Sequence, residues 1–273
     1  MNHYQLSDIY QVYIKGLEEA GDVVIGKPLP LDKISCDLSS FDSSNIEQLE
    51  DAVKDLIERS GQQRNSTKPD PLAALFQNLD RDFAAGETAV TRKEYEQFEK
   101  TRVNDKWRGN RIGSLNELIA TLPRRIALSS AGQLDLVVMD ENNLPIAIVE
   151  MKNRWNTMNS SSAIRLRREI ERHVLTRGST FHNCKGLLVE RIPKVDGEAS
   201  HFSPSDPSTG EKTPDNANIQ KMGLQQFLSQ FAGDQLAYMK GIVIIAQTMV
   251  EEDALPADYD MTLIFELLAE SLS

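Results

Sequence analysis

The spacing of hydrophobic residues divides the chain into a helical first part and a second part in which strands and helices alternate. In the first hundred residues, apolar side chains recur every three or four positions, as they do over residues 46–57, and this spacing predicts amphipathic helices. The same spacing over residues 72–79 follows Pro71, a residue that suits the first turn of a helix. We therefore expect residues 1–109 to form a mostly helical N-terminal region.

The pattern changes near residue 114. A short helix is expected over residues 115–122, and Pro123 should end it. Three strand candidates follow: residues 125–129, 133–140 and 146–152. Because only a short turn, ENNLP, joins the last two, they should form an antiparallel hairpin. A helix from Ser160 to Arg177 then leads to a strand over residues 185–191, so we predict an α/β fold with a mixed β-sheet flanked by helices.

The last part of the chain begins with a polar segment. Residues 195–218 are dense in Pro, Ser, Gly, Asp and Asn, which predicts a mobile loop. A helix is expected over residues 219–231, a β-branched strand over residues 241–246 and a final helix over residues 261–272. These elements and the preceding hairpin together make a predicted domain over residues 110–273.

Composition indicates a globular protein and excludes several other classes. The chain has 273 residues, of which 40% are hydrophobic and 26% are charged, so a sizeable core is available. Its longest apolar run, around residues 241–246, is too short for a membrane span, and its start lacks the pattern of a secretion signal. We therefore expect a cytoplasmic protein without membrane contact. Two cysteines are too few for a disulfide scaffold or a cysteine-based zinc cluster.

The net charge of −11 argues against nucleic-acid binding only when the chain is taken as a whole. Residues 100–194 carry 17 basic and 9 acidic side chains, a balance of +8, while the flanking segments carry −9 and −10. This asymmetry indicates either one region that faces a polyanion or a charge fluctuation on solvated helices. If nucleic acid binds, we expect it to bind through the surface of residues 100–194.

The predicted hairpin contains a constellation of charged residues. Glu150 and Lys152 are two apart on one strand and so point to the same face, and pairing across the short turn can bring Asp135 near them. Two carboxylates provide the hard oxygen ligands that Mg²⁺ prefers, and a neighbouring lysine can position water or offset charge on a phosphate. The competing interpretation is a salt-bridged surface hairpin without chemistry.

These residues resemble the motif of the PD-(D/E)XK nuclease superfamily, to which many restriction endonucleases belong. The resemblance lies in Asp135 on one strand and Glu150-Met151-Lys152 on the next, in a helix-strand-strand-helix-strand order, and it covers about residues 110–193. Leu134 stands where the superfamily's proline would be. The resemblance implies a restriction-endonuclease-like core, a bound Mg²⁺ or Mn²⁺ ion and hydrolysis of phosphodiester bonds.

Roles for individual residues follow from the same resemblance. Asp135, Glu150 and the main-chain carbonyl of Met151 would hold the metal ion, and Lys152 would be the catalytic lysine. The superfamily often places a glutamate on the helix before the first strand, which makes Glu117 a possible further acidic residue. Glu117 lies opposite the apolar positions of its helix, however, and this favours plain solvent exposure.

Basic residues near the motif are candidates for contact with nucleic acid. Arg165, Arg168 and Arg172 recur along one side of the helix after the hairpin, where they form either a phosphate-binding stripe or an ordinary solvated face. Arg154 and Trp155 directly follow the motif and could contact backbone phosphate or stack on a base, although tryptophan is more commonly a core or rim residue.

The function predicted from the sequence is a metal-dependent nuclease with nucleic acid, most readily DNA, as its substrate. The alternative is a non-catalytic interaction protein on the same fold, which would bind a protein partner through its acidic flanks. A protein partner or a homo-oligomer is compatible with either function.

Overall fold

A computed structural model describes residues 17–18, 30–61, 113–130, 134–194, 199–234 and 236–261. The chain divides into two compact units, one formed by residues 1–55 and 115–273 and the other by residues 56–114. The helix predicted over residues 72–79, and all but the first residue of the one predicted over residues 261–272, lie outside the described residues. The predicted boundary after residue 109 stays a prediction. Within the described residues, no helix is both long enough and apolar enough to cross a membrane.

Among the described residues, eight strands form the sheets of the first unit. They are β1 (Leu17–Glu18), β2 (Ser35–Cys36), β3 (Ile126–Leu128), β4 (Leu136–Met139), β5 (Pro145–Arg154), β6 (Lys185–Ile192), β7 (Ser200–His201) and β8 (Ile219–Gly223). The first two pair with each other, and the others form a six-stranded sheet in the order β3-β4-β5-β6-β8-β7. Strands β3, β4 and β5 are antiparallel, β5, β6 and β8 are parallel, and β7 is antiparallel to β8. The predicted mixed sheet is confirmed.

Helices cover this sheet on both sides. They are α1 (Ser43–Gly61), α2 (residues 113–121), α3 (Ser160–Val174), α4 (Leu224–Phe227), which continues as a π-helix over Leu228–Ala232, and α5 (Ala237–Glu251). The predicted hairpin is β4–β5, with Leu136 opposite Val149 and Val138 opposite Ala147. Helix α3 is the predicted crossover, and the parallel pairing of β5 with β6 follows from it.

One face of the sheet carries the larger hydrophobic core, which we call the main face. Strand β5 contributes Ala147, Val149 and Met151 to this core, and α5 contributes Val243 and Ile244. Helix α2 and the segment before α1 add further buried residues: Leu31, Phe41, Ile119, Ala120 and Leu122. The N-terminal segment around residues 31–41 is therefore part of the core that supports the sheet.

The opposite face of the sheet carries a smaller core, and we call it the α3 face. Leu166, Ile170 and Val174 of α3 cover Ile148 of β5 and Leu188 of β6. Gly186 lets α3 approach closely, because a Cβ atom at this position would lie 2.1 Å from Cγ2 of Ile170. The close approach fixes α3 directly beside the strands that carry the motif.

The segment predicted as a mobile loop contacts α3. Phe202 is buried in the smaller core, and Arg167, which is 1% exposed, donates hydrogen bonds to the carbonyl oxygens of Phe202 and Pro214. Arg167 also forms an ion pair with Glu171 at 3.0 Å. Residues 199–218 are therefore held on the α3 face by a buried side chain, and this segment contributes to the core.

Two predictions about the last part of the chain are wrong. Residues 241–246 belong to helix α5 and not to a strand, and residues 219–223 form strand β8 and not the start of a helix. Helix α5 is buried around much of its circumference, so its sequence is an apolar run that lacks the polar positions of an amphipathic helix. Strand β8 lies between β6 and β7, where sheet pairing overrides the helical spacing of its apolar residues.

Candidate active site

The β4–β5 hairpin brings the predicted carboxylates together. The ladder ends at the pair Leu136 and Val149, and one residue further Asp135 lies opposite Glu150. Glu150 projects from the α3 face, as Ile148 does, and Asp135 is close enough for its charge to raise the pKa of Glu150. Lys152, two residues beyond Glu150 in β5, projects from this face as well.

Direct hydrogen bonds hold the three side chains in place. Asp135 Oδ2 accepts a hydrogen bond of 2.7 Å from the main-chain N–H of Met151. The Lys152 ammonium donates to Glu150 Oε1, and the two groups form an ion pair. The Met151 side chain lies in the core of the main face, so only its main chain faces the site, and a metal-binding role of its carbonyl oxygen stays a prediction.

Burial and like charge act together on Glu150. Its side chain is only 17% exposed, and this burial raises the pKa of the carboxyl group. The hydrogen bond from Lys152 opposes the shift, whereas the charge of Asp135 adds to it. The negative charge of Glu150 is thus held in a partly desolvated position where a cation would stabilise it.

Glu117 lies closer to this site than its place on the helix suggested. It is half-buried rather than solvent-exposed, and burial raises the pKa of its carboxyl group. Asp135 raises this pKa further and Lys152 lowers it, so both charges are within electrostatic reach of Glu117. The expectation of plain exposure is therefore wrong, because the polar side of α2 is directed towards the hairpin residues.

The donor set fits a hard divalent cation. Asp135 and Glu150 supply carboxylate oxygens on adjacent strands, and each uses one of its two oxygens in the hydrogen bonds described above. Among the described residues, no three His, Cys, Asp or Glu side chains are already arranged as a metal-binding group. Two acidic ligands would leave several positions to water, which is the coordination that Mg²⁺ favours.

A cleft of about 270 Å³ lies between the end of β5 and α3. Glu150 and Lys152 line it on one side, and Arg165 and Glu169 of α3 line it on the other. Glu169 is also close enough to raise the pKa of Glu150, after the larger effects of burial and Asp135. The cleft gives Glu150 and Lys152 access to a ligand from solvent, whereas Asp135 does not line it.

The other predicted basic residues are exposed but lie in different surroundings. Arg168 reaches Asp206 at 3.9 Å, and Arg172 reaches Glu169 at 3.8 Å, both through side chains that are about 70% exposed. Such exposed pairs contribute little to stability and leave the guanidinium groups accessible. Arg154, at the end of β5, is exposed, and Arg165 is the member of the predicted stripe that lines the cleft.

A buried polar network next to the site escaped the sequence analysis. Asn116, which is 6% exposed, donates from Nδ2 to Asn153 Oδ1 at 2.6 Å and accepts from the Tyr238 hydroxyl at 2.8 Å. It thereby joins α2 to β5 and α5, and the two asparagines are the sequence neighbours of Glu117 and Lys152. A polar residue one position before Glu117 was the available signal, but its partners are 37 and 122 residues away.

Comparison with known families matches residues 42–251 to the sequence profile of a family described as the Eco47II restriction endonuclease. The match covers most of the chain and includes the hairpin, α3 and β6. It confirms the resemblance to restriction-endonuclease-like PD-(D/E)XK nucleases and extends it on both sides of residues 110–193. No curated protein matches the chain.

Proposed function

We propose that this chain, which belongs to the Eco47II restriction endonuclease family, hydrolyses DNA phosphodiester bonds with a divalent cation held by Asp135 and Glu150. Family membership makes the chain a nuclease of the hydrolase class that acts on DNA. The proposal adds the residues, the metal dependence with Mg²⁺ or Mn²⁺, and the cytoplasm as the place of action.

The observation that carries the proposal is the arrangement at the ends of β4 and β5. Asp135 and Glu150 are opposite each other, Asp135 is fixed by the N–H of Met151, and the Lys152 ammonium lies against Glu150. A purely structural salt bridge would need Lys152 and one carboxylate, whereas this site holds two carboxylates side by side and sets Glu117 near them. Such a concentration of negative charge favours a cation-binding site over a salt bridge that only stabilises the fold.

Each side chain has a distinct part in the proposed chemistry. A bound divalent cation would offset charge on the phosphate and lower the pKa of water in the site. Asp135 and Glu150 would hold the cation, and Glu117 would add negative charge near them. Lys152 holds its ammonium where it can position the attacking water and balance the charge that develops on the phosphate. Arg165, across the cleft, can contact a neighbouring phosphate.

Plasmid cleavage tests the proposal. Supercoiled plasmid is incubated with the protein in Mg²⁺, in Mn²⁺ and in excess chelator, and nicked and linear products are separated on a gel. We expect cleavage with either metal and none with chelator. Asp135→Asn and Glu150→Gln keep the shape of each side chain but remove its charge, so both variants should lose metal binding in calorimetry and cleavage together.

The control is Glu211→Gln, which removes a charge from an exposed position away from the hairpin and should leave cleavage unchanged. Cleavage of plasmid by Asp135→Asn at the wild-type rate would overturn the assigned metal site. A wild-type protein that folds but neither binds nor cuts DNA under any metal condition would instead support the non-catalytic alternative. A single-stranded RNA of matched length, left intact while DNA is cut, would support DNA as the substrate.

A further inference from the structure

Trp155 is exposed at the end of the strand that carries the proposed catalytic residues. It is 45% exposed and lies three residues beyond Lys152, directly after the last residue of β5. Tryptophan is on average among the more buried residues. A large exposed indole near the proposed active site therefore indicates a binding surface.

The position of Trp155 is fixed by its surroundings. Its main-chain N–H donates to the carbonyl oxygen of Ile192 at 3.1 Å, which ties the turn after β5 to the end of β6. Thr157 secures the same turn, because its N–H and its hydroxyl both donate to the carbonyl oxygen of Arg154. Because the main chain of the turn is held in this way, it loses little conformational freedom when a ligand stacks on the Trp155 side chain.

Two basic residues accompany the indole, one over its ring and one next to it in the chain. The Lys194 ammonium lies 5.2 Å from the centre of the Trp155 ring, in a cation–π contact, and Arg154 is exposed one residue before it. Thr157 and Met158 of the same turn line the cleft that contains Glu150 and Lys152. An aromatic side chain with a cation over its ring, in the turn that leads to the proposed active site, has the chemistry that binds single-stranded or unstacked nucleic acid.

We infer that Trp155 stacks on a nucleobase of the DNA next to the phosphate being cut, while Lys194 and Arg154 contact the adjoining phosphates. The inference rests on the proposed function and adds a substrate contact outside the metal site. It requires that the DNA be locally unstacked when it is bound, because the face of a base inside an intact duplex is covered by its neighbours.

Steady-state cleavage of a duplex tests this contact. The duplex is built around a position at which the wild-type protein cuts plasmid DNA, found by sequencing the ends of the products. Trp155→Ala should raise KM about tenfold with little change in kcat, because a stacked base contributes mainly to binding. Trp155→Phe should recover most of this loss, whereas Trp155→Leu, apolar but unable to stack, should not.

Leu144→Ala provides the matched control. Leu144 is 60% exposed and immediately precedes β5, so it lies at the other end of the same strand, roughly 35 Å from Trp155. Its removal deletes a comparable exposed apolar side chain and should leave KM and kcat unchanged. If Trp155→Ala behaves like Leu144→Ala while the wild type cuts normally, the inference is overturned and the proposed function stands.

Fluorescence gives an independent readout of the stacking itself. The sequence contains two tryptophans, so the double variant Trp107→Phe/Lys152→Ala reports from Trp155 alone and binds the duplex without cutting it. We expect the emission to be quenched along the same titration curve that a gel-shift assay gives. Binding without quenching would contradict the stacked geometry. A wild-type protein that neither binds nor cuts DNA would overturn this inference and the proposed function together.

Discussion

The two faces of the six-stranded sheet are built from the same strands but carry different kinds of side chain. Strand β5 sends Ala147, Val149 and Met151 into the core of the main face, under α2 and α5. Its alternate residues Ile148, Glu150 and Lys152 project from the α3 face, where the sequence changes from apolar to charged within three positions. Neighbouring residues of one strand therefore form the core on one side and the proposed active site on the other.

Two buried charges, one near each face, differ in how well they are paired. Near the main face, Lys240 is 7% exposed and donates to Asp234 at 2.9 Å. On the α3 face, Glu190 is 2% exposed, but its nearest cation, Lys221 Nζ, is 3.9 Å away and its Oε2 accepts no hydrogen bond from the described residues. Glu190 is thus less well paired than Lys240, whereas Arg167, also buried on the α3 face, has an ion pair and two further hydrogen bonds.

The largest effect is expected on the α3 face and concerns activity. Lys152→Ala should lower the cleavage rate by about 10²–10³-fold, because in the proposed mechanism the ammonium acts where charge develops in the transition state. Metal affinity in calorimetry should remain, since both carboxylates are kept, and the melting temperature should change little. Equal cleavage rates for the variant and the wild type would show that Lys152 has no catalytic part.

The second prediction compares two glycines whose main chain packs closely against an isoleucine, one on each face of the sheet. Gly186→Ala would place a Cβ atom 2.1 Å from Ile170 Cγ2, and Gly241→Ala would place one 2.7 Å from Ile119 Cγ2. Both variants should be destabilised in urea unfolding, by about 3 kcal/mol at Gly186 and less at Gly241. Adding Ile170→Ala should reduce the cost of Gly186→Ala. Additive effects of these two changes would contradict the contact that fixes α3.

The third prediction concerns a residue of the main face that should affect stability and not cleavage. Val149 is fully buried beside Glu150 but points the opposite way, so Val149→Ala should lower the free energy of unfolding by about 2 kcal/mol. Well below the melting temperature, cleavage per folded molecule should stay near the wild-type value. A loss of activity as large as that of Lys152→Ala, without unfolding, would show that the two faces are not separate in function.

The hairpin was predictable because its determinants are local. A short turn between two apolar strands sets the antiparallel pairing, and the pairing places Asp135 opposite Glu150. Helix α5 was not predictable in the same way, because an apolar run such as residues 241–246 has no periodicity that separates a buried strand from a buried helix. Whether this run forms a strand or a helix depends on the tertiary packing around it.

The surroundings of the site also depend on contacts distant in sequence. Glu117 was expected to be exposed because it lies opposite the apolar side of α2, yet the hydrogen bonds of Asn116 with Asn153 and Tyr238 hold α2 at the end of β5. Glu169 lay among charged residues of α3 and gave no sign that it would line the cleft. The residue types in the sequence indicated the proposed chemistry. Tertiary packing determined which further charged residues lie near the site.

The smallest effect tests the poorly paired charge on the α3 face. Burial raises the pKa of Glu190, and the charge of Lys221 only partly opposes this. A carboxyl group with a raised pKa binds its proton more tightly in the folded state, so it costs stability as the pH rises from the ordinary glutamate range through the folded pKa. Above that pKa the cost is fully present. Glu190→Gln removes the charge and should raise the melting temperature at pH 8 by about a few degrees at most.

The difference between Glu190→Gln and the wild type should shrink as the pH falls towards 4, where Glu190 itself becomes neutral. Melting curves over this pH range measure it, and the other carboxyl groups, shared by both proteins, cancel in the comparison. Glu211→Gln, a change at an exposed position, should show no such trend. If Glu190→Gln is instead less stable than the wild type at pH 8, Lys221 stabilises the ionised carboxylate more than burial opposes it, and the contrast between the two faces fails at this position.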